Sequence, residues 1–217
     1  MRKLVSRDPS RRDFGLCFRS DCDLRRLPVP RVRPSVGRGL LLGGNRMKFT
    51  LRLPRHDITR WAKRYATTQD VAPLAFGSAA NHRGYLTKAE FLGLAKWKTP
   101  RTQKRCKANS DDFIQVVTQT ALATTDERLR IEVLTLLDGV RLPTASVLLH
   151  FCGRDPYPIL DFRALWSLSC DVSAKNYDFT LWQSYCDFTR ALAVDAGVSM
   201  RVLDRALWQY SKDCQPG

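Results

Sequence analysis

The stretch from Leu136 to Trp166 constrains the fold more than any other part of this 217-residue chain. It reads LLDGVRLPTASVLLHFCGRDPYPILDFRALW. Gly139 predicts the end of one helix, because glycine enters the left-handed backbone region without steric cost. Pro143 suits the first turn of the next helix, where no amide donor is needed. The stretch therefore predicts a helical hairpin over about residues 129–152.

The start of the second hairpin helix is a candidate phosphate site. Backbone amides near Leu142, Thr144 and Ala145 are predicted to point outward from this helix start, and amides at a helix N-terminus bind anions. Such contacts read the nucleic-acid backbone rather than its sequence. A plain hairpin without a ligand is the alternative, and the residues alone leave it open.

A lone carboxylate, Asp161, follows the extended run Tyr157-Pro158-Ile159-Leu160. An aspartate before a helix is commonly its N-cap, and that interpretation competes with a chemical one. The extended run predicts a rigid position for the carboxylate. The two roles are compatible, because a helix N-terminus also positions a carboxylate.

The net charge of +15 favours a polyanionic partner, which can be DNA, RNA or an acidic membrane surface. No apolar run reaches 18 residues, so we expect no membrane span. The 44% hydrophobic content is enough for a buried core. Composition alone does not choose among the three kinds of polyanion.

The seven cysteines have no CxxC pair, which predicts reduced and mostly buried thiols in a cytoplasmic protein. A zinc or iron–sulfur site needs tightly spaced ligands, and the sequence has none. We therefore expect no metal and no cofactor.

Residues 1–46 differ in composition from residues 47–217. They carry twelve Arg or Lys and four Asp and show no hydrophobic period, which predicts a disordered basic segment. Two interpretations stay open: a DNA-tethering arm, or an over-extended start with Met47 as the true first residue. Without the segment, the net charge falls by +8 to +7, so the remaining domain is still basic.

Helix signals dominate from Met47 on, and they predict an all-α bundle. Thr87 and Glu90 form a capping-box pattern, Ser110 predicts another cap, and Thr125 or Asp126 a third. The last two helices are predicted near 178–194 and 199–212.

Three further expectations concern the parts between these signals. The segment 48–54 is predicted to be a short strand or extended piece, residues 67–86 are predicted to be irregular, and residues 96–107 are predicted to form a basic loop. The helix before the turn is expected to direct four residues to the core: Leu129, Val133, Leu136 and Leu137.

The core of the chain resembles the helix-hairpin-helix DNA glycosylase superfamily (HhH-GPD-like). The resemblance is clearest over residues 134–168, in the Gly-Val turn, Thr144-Ala145 and Ile159-Leu160-Asp161. It implies a DNA-repair hydrolase that flips a damaged or mismatched base out of double-stranded DNA and cuts its N-glycosyl bond. Asp161 is then the catalytic residue. The expected location is the cytoplasm, associated with the nucleoid.

The chain departs from the family pattern at three points. Arg141 replaces a second hairpin glycine, and Pro143 stands where bifunctional relatives carry a nucleophilic lysine. The four-cysteine iron–sulfur loop is missing, since only Cys214 lies beyond residue 186. The resemblance therefore implies a divergent monofunctional enzyme without lysine-dependent lyase activity. A non-catalytic helix-hairpin-helix DNA-binding module is the alternative, and an RNA-directed protein of the same shape is a third.

The expected contact residues fall into three groups. The hairpin contributes Gly139, Val140, Arg141 and Thr144, and the basic segment contributes Lys96, Lys98, Arg101, Lys104 and Arg105. A solvated loop or a DNA wedge are other interpretations of the basic segment. Candidates for the base pocket are Tyr157 and Trp97. A general acid is not identified: Glu90, Asp111, Asp112 and Glu132 are better explained as capping or surface residues, and His150 as a core residue.

Overall fold

The computed structural model describes residues 47–216. The predictions for residues 1–46 lie outside the described residues. Within residues 47–216 the secondary structure is all-α, with no strand. The ten helices are α1 (Ile58–Arg64), α2 (Val71–Arg83), α3 (Lys88–Lys98), α4 (Gln103–Cys106), α5 (Asp111–Ala123), α6 (Glu127–Val133), α7 (Leu142–Cys152), α8 (Phe162–Ser167), α9 (Phe179–Asp195) and α10 (Met200–Cys214). Short 3-10 turns lie at Arg55–Asp57, Thr67–Asp70, Pro100–Thr102, Leu134–Leu136 and Ala174–Asn176.

The predicted helix caps are confirmed. Thr87 and Glu90 form a capping box at the start of α3. The Ser110 side chain accepts the Phe113 amide, and the Asp126 side chain, rather than Thr125, accepts the Leu129 amide. These side chains satisfy amides that have no partner inside their helices, which explains why α5 and α6 begin where they do.

The segment predicted to be irregular, 67–86, is mostly helical, and that prediction was wrong. Pro73 lies in the first turn of α2, where its missing amide costs nothing. Gly77 is needed there for packing, since a Cβ atom would lie 2.1 Å from the Phe151 carbonyl oxygen of α7. The glycine therefore serves close helix–helix contact and does not break α2.

The basic segment 96–107 is also more ordered than predicted. It consists of the end of α3, the turn Pro100–Thr102 and the short α4. On α6 and the turn after it, Leu137 is buried as expected, but Leu129 is 47% exposed and Leu136 is 62% exposed. The core of this region is formed instead by Ile131 and Leu134, both nearly fully buried.

Helix α7 lies at the centre of the fold. Seven of its eleven residues are buried, and it packs against α2, α3 and α6. Helix α10 packs against α1 and α8. The segment 48–54 forms no strand, and the amides of Thr50 and Arg52 donate to the carbonyls of Leu168 and Ser167 at the end of α8. This packing brings the starts of α7 and α8 to one face.

Four of the five described cysteines are buried as free thiols, and Cys214 is exposed. Burial raises the pKa of the Cys152 thiol to about 12, so this thiol stays protonated and unreactive at neutral pH. No helix in the described part of the chain has both the length and the apolar character that crossing a bilayer requires.

Candidate active site and nucleic-acid interface

The extended run before Asp161 is fixed by side chains from three helices. The Leu160 amide donates to Ser146 Oγ of α7 at 2.9 Å, and the Ile159 amide donates to Asp204 Oδ1 of α10 at 3.3 Å. The Tyr185 hydroxyl of α9 donates to the Ile159 carbonyl at 3.0 Å. These bonds take the place of the inter-strand hydrogen bonds of a β-sheet. They fix the conformation of the backbone that precedes Asp161.

Asp161 is both a helix cap and half of an ion pair. Its Oδ1 accepts the Arg163 amide at 2.9 Å, which makes it the N-cap of α8. Its Oδ2 lies 2.6 Å from Lys98 Nζ, which also donates to the Leu160 carbonyl at 3.2 Å. The two side chains are only 19% and 12% exposed, so solvent screens this pair weakly.

Two cavities meet at this ion pair. The larger is an open groove of about 900 Å³ that runs along the hairpin and the basic segment. The smaller is a cavity of about 150 Å³ between α3, α8 and α10. Lys98 and Asp161 line both. The carboxylate therefore lies at the junction between a wide groove and a small chamber.

The hairpin turn is attached to α4. Gly139 has φ +82°, and a Cβ there would lie 2.8 Å from Cys106 Sγ, so both the turn and this close approach require glycine. The buried Asn109 side chain donates to the carbonyls of Cys106 and Asp138 and accepts the Asp138 amide at 2.8 Å. These contacts hold the hairpin beside Arg105.

The predicted outward-pointing amides are only partly present. The amides of Thr144 and Ala145 donate to the Arg141 carbonyl at 2.8 and 2.9 Å, so they are occupied by the first turn of α7. The amides of Gly139, Arg141 and Leu142 make no hydrogen bond within residues 47–216. The amides that can meet an anion therefore lie in the turn itself and at the first residue of α7.

The groove gathers most, but not all, of the predicted DNA contacts. Gly139, Val140, Arg141 and Thr144 line it, together with Lys98, Arg101 and Arg105. Lys96 and Lys104 are exposed but do not line it. Five basic residues and two acidic ones face the groove, the fifth cation being Lys175, which sequence reasoning missed. The groove is therefore electropositive, as a phosphate-binding surface must be.

The small cavity has aromatic walls. Trp97, Tyr65 and Trp208 line it, with Ile159, Ala164, Gln69 and Asp204. Trp97, one of the two predicted base-pocket candidates, is therefore a lining residue of this cavity. Tyr157, the other candidate, is not: it is 1% exposed, its hydroxyl donates to Glu127 at 2.8 Å, and it stacks on Trp182. Because it belongs to the core, Tyr157 lines neither cavity and is removed from the base-pocket candidates.

Tyr177 is a site residue that sequence reasoning missed. It lines the groove, and its hydroxyl is buried without a partner among the described residues. Burial, then the negative charge of Asp161, raises its pKa to about 12. Tyr177 is therefore a hydroxyl donor at neutral pH. Its only sequence signal was a tyrosine in an irregular segment.

The acidic residues that were considered and rejected as general acids have structural roles. Glu90 belongs to the capping box and pairs with Arg83. Asp111 lies 3.3 Å from Lys88, and Glu132 pairs with Arg128 one turn away. Burial lowers the pKa of His150, whose Nδ1 lies 2.6 Å from the Tyr157 carbonyl.

No protein-family model, no curated protein and no solved structure matches this chain.

Proposed function

We propose that this chain is a monofunctional DNA N-glycosylase of the helix-hairpin-helix type, which flips a damaged or mismatched base and excises it. The observation that carries the proposal is the position of Asp161, at the junction of a basic groove and an aromatic cavity of about 150 Å³. A glycosylase needs such a junction, because the backbone, the sugar and the flipped base must be held together at one acid.

The groove accounts for backbone binding. Arg101, Arg105 and Arg141 form no ion pair within residues 47–216, so their charges are available to phosphates. The hairpin turn adds amide donors at the same wall. Double-stranded DNA is the partner that this combination fits, and the proposed location is the cytoplasm, with the nucleoid.

Asp161 accounts for the chemistry. Breaking the bond between sugar and base leaves positive charge on the sugar, which a carboxylate at short range stabilises. The same carboxylate orients the attacking water. Lys98 opposes this while it remains on Asp161, since a cation repels the developing charge. A phosphate in the groove offers Lys98 another partner and frees the carboxylate.

The proposal is limited to hydrolysis. Pro143 has no amine at the hairpin position that carries a lysine nucleophile in bifunctional relatives. The Lys98 amine is paired with Asp161 and the Leu160 carbonyl in the free protein and is proposed to pair with a phosphate in the complex, so it is engaged as a cation in both states. We therefore expect an intact abasic site as product.

One observation favours a second candidate, a non-catalytic DNA-binding module. Both oxygens of Asp161 are already engaged, one by the Arg163 amide and one by Lys98. A carboxylate with only a capping and pairing role has the same environment. This candidate keeps the groove and needs no access to the cavity.

Base release from duplex DNA tests the proposal. The full chain and its Asp161→Asn variant are incubated with duplexes carrying deaminated, oxidised, alkylated or mismatched bases, and alkali then reveals abasic sites. Release by the native chain alone, with cleavage only after alkali, is the expected result. No release on any duplex, with equal binding by both proteins, would favour the non-catalytic module.

A further inference from the structure

The small cavity has a buried end and an end at the protein surface. Ile159 and Ala164 are 3% and 1% exposed and belong to its inner wall. Gln69 is the only exposed residue of its lining, and it does not line the groove. The cavity therefore reaches the surface at Gln69, at a place that is not part of the groove.

On the groove side, the cavity ends at an ion pair. Lys98 and Asp161 are the only two of the described residues that line both the cavity and the groove. Their side chains are mostly buried and lie 2.6 Å apart, and Lys98 also donates to the Leu160 carbonyl. A molecule that moves between the cavity and the groove has to pass this pair, whereas a molecule that moves past Gln69 does not.

The 3-10 turn Thr67–Asp70 fixes the backbone beside this surface opening. Asp70 is fully buried and accepts the Nε donors of Arg201 and Arg205 of α10 at 3.0 and 2.9 Å. Because Gln69 directly precedes Asp70, its backbone is held beside α10. Gln69 is nevertheless exposed, so its side chain can change rotamer quickly without disturbing the packing.

Trp208 is a fixed wall of the same cavity. Its ring packs edge-on against Tyr65 with 5.5 Å between the ring centroids. Arg163 and Lys212 lie over the ring at 5.7 and 5.3 Å from its centroid, and such cation–π contacts hold the ring in place. The side chain that can widen or narrow the opening is therefore that of Gln69.

We infer that the cavity has its own entrance from solvent, at Gln69, through which the excised base leaves while DNA still occupies the groove. The inference rests on the proposed function for its ligand, a nucleobase. After excision, the abasic DNA keeps its phosphate contacts with the groove cations, so the groove side of the cavity stays covered. The base leaves first at Gln69, and the two products are released independently.

Binding of a free base in the presence and absence of DNA tests the inference without any catalysis. The full chain is mixed with 2-aminopurine, whose fluorescence falls when it stacks on an aromatic side chain. One sample contains the chain alone, and the other contains the chain saturated with an undamaged duplex. The rate constant of binding is expected to be the same in both samples. Quenching that DNA abolishes would overturn the inference, and so would an absence of quenching in both samples.

Two neighbouring variants locate the entrance. Gln69→Phe places a larger and more rigid side chain at the entrance, so binding of 2-aminopurine should slow on the order of tenfold, with and without DNA. Thr68→Phe is the matched control, because Thr68 is also exposed but does not line the cavity, and it should bind at the native rate. A native rate for Gln69→Phe would rule out an entrance at Gln69.

Failure of this inference and failure of the proposed function give different results. Base release from DNA by a chain whose binding of 2-aminopurine is blocked by DNA would keep the proposed function and overturn the separate entrance. Binding at Gln69 by a chain that releases no base from any duplex would keep the entrance and remove the proposed function.

Discussion

Asp161 combines a structural and a proposed chemical role in one side chain. Its Oδ1 caps α8 and its Oδ2 faces Lys98, at the boundary of both cavities. Capping gives the carboxylate a fixed direction, and the ion pair keeps its charge compensated in the free protein. The functional proposal depends on that compensation being reversible when phosphate enters the groove.

Replacing Lys98 tests how strongly the pair is coupled. Lys98→Met leaves the mostly buried Asp161 without its cation, so the free energy of unfolding should fall by about 1–3 kcal/mol. Lys96→Met is the matched control, because Lys96 is exposed and forms no ion pair within the described residues, and it should change stability by less than about 0.5 kcal/mol. Urea unfolding measures both. Equal effects of the two variants would mean that the pair contributes nothing.

The Tyr177 hydroxyl is not expected to contribute to stability. Tyr177→Phe removes a buried hydroxyl that has no partner among residues 47–216, so the free energy of unfolding, measured with urea, should stay unchanged or rise by up to about 1 kcal/mol.

The raised pKa of Tyr177 gives this prediction a pH signature. Above pH 10 the unfolded state loses the hydroxyl proton first, since the folded-state pKa is about 12. Stability of the native chain should therefore decline between about pH 10 and pH 12, and Tyr177→Phe should decline less. Identical pH profiles would show that the Tyr177 hydroxyl is not buried in this way.

At the scale of elements, the hairpin is held by α4 as much as by its own turn. Gly139 approaches Cys106 closely, and Asn109 joins the backbone of residue 106 to that of residue 138. A turn whose backbone amides bind one phosphate has to be rigid, because the amides must stay directed at the same point. Asn109 supplies that rigidity from outside the hairpin.

Asn109→Ala should therefore loosen the turn while leaving the bundle folded. It removes three hydrogen bonds and leaves two carbonyls and one amide to find water, so a loss of about 2–3 kcal/mol in stability is expected. Hydrogen exchange of the amides near Gly139 should speed up more than that of α9. Uniform acceleration across the chain would contradict a local role for Asn109.

Elements with local signals were predictable, and elements decided by tertiary contact were not. The caps at Thr87, Ser110 and Asp126 are short-range hydrogen bonds, so the sequence alone indicates them. Helix α2 was missed because Gly77 normally weakens a helix, whereas here it admits the Phe151 backbone.

The candidate site likewise contains one residue that a local pattern predicts and others that only tertiary contacts bring there. Asp161 follows from a local pattern. Asp204 and Trp208 reach the cavity only because α10 packs against α8, forty residues or more along the chain from Asp161. No short-range signal carries that information, so the cavity walls could not be predicted.

At the scale of the whole molecule, four cations that form no ion pair within the described residues line one groove: Arg101, Arg105, Arg141 and Lys175. The groove walls come from α3, α4, the hairpin and the segment around Lys175, which are far apart in sequence. Net charge predicts a polyanionic partner but not where it binds. Helix α7, whose first residues line the groove, packs against α3 and so brings the hairpin beside the end of α3.

Substitutions at two neighbouring residues can distinguish the effect of charge in the groove from the effect of net charge. Arg105 lines the groove and Lys104 does not, although both are exposed. If DNA lies in the groove, Arg105→Gln should reduce the slope of log affinity against log salt by about 0.9. Lys104→Gln should leave that slope nearly unchanged. Equal reductions by both variants would place the DNA elsewhere or show that binding follows net charge alone.

The most direct measurement is single-turnover base release, with DNA affinity determined in parallel, for the native chain, Asp161→Asn and Asp138→Asn. Asp138 is the other acid of the groove, so its variant controls for the loss of one negative charge. Asp161→Asn should lose on the order of 10²–10³-fold in rate at unchanged affinity, and Asp138→Asn should retain its rate. Equal rates for Asp161→Asn and the native chain would contradict the assignment of Asp161 as the catalytic carboxylate.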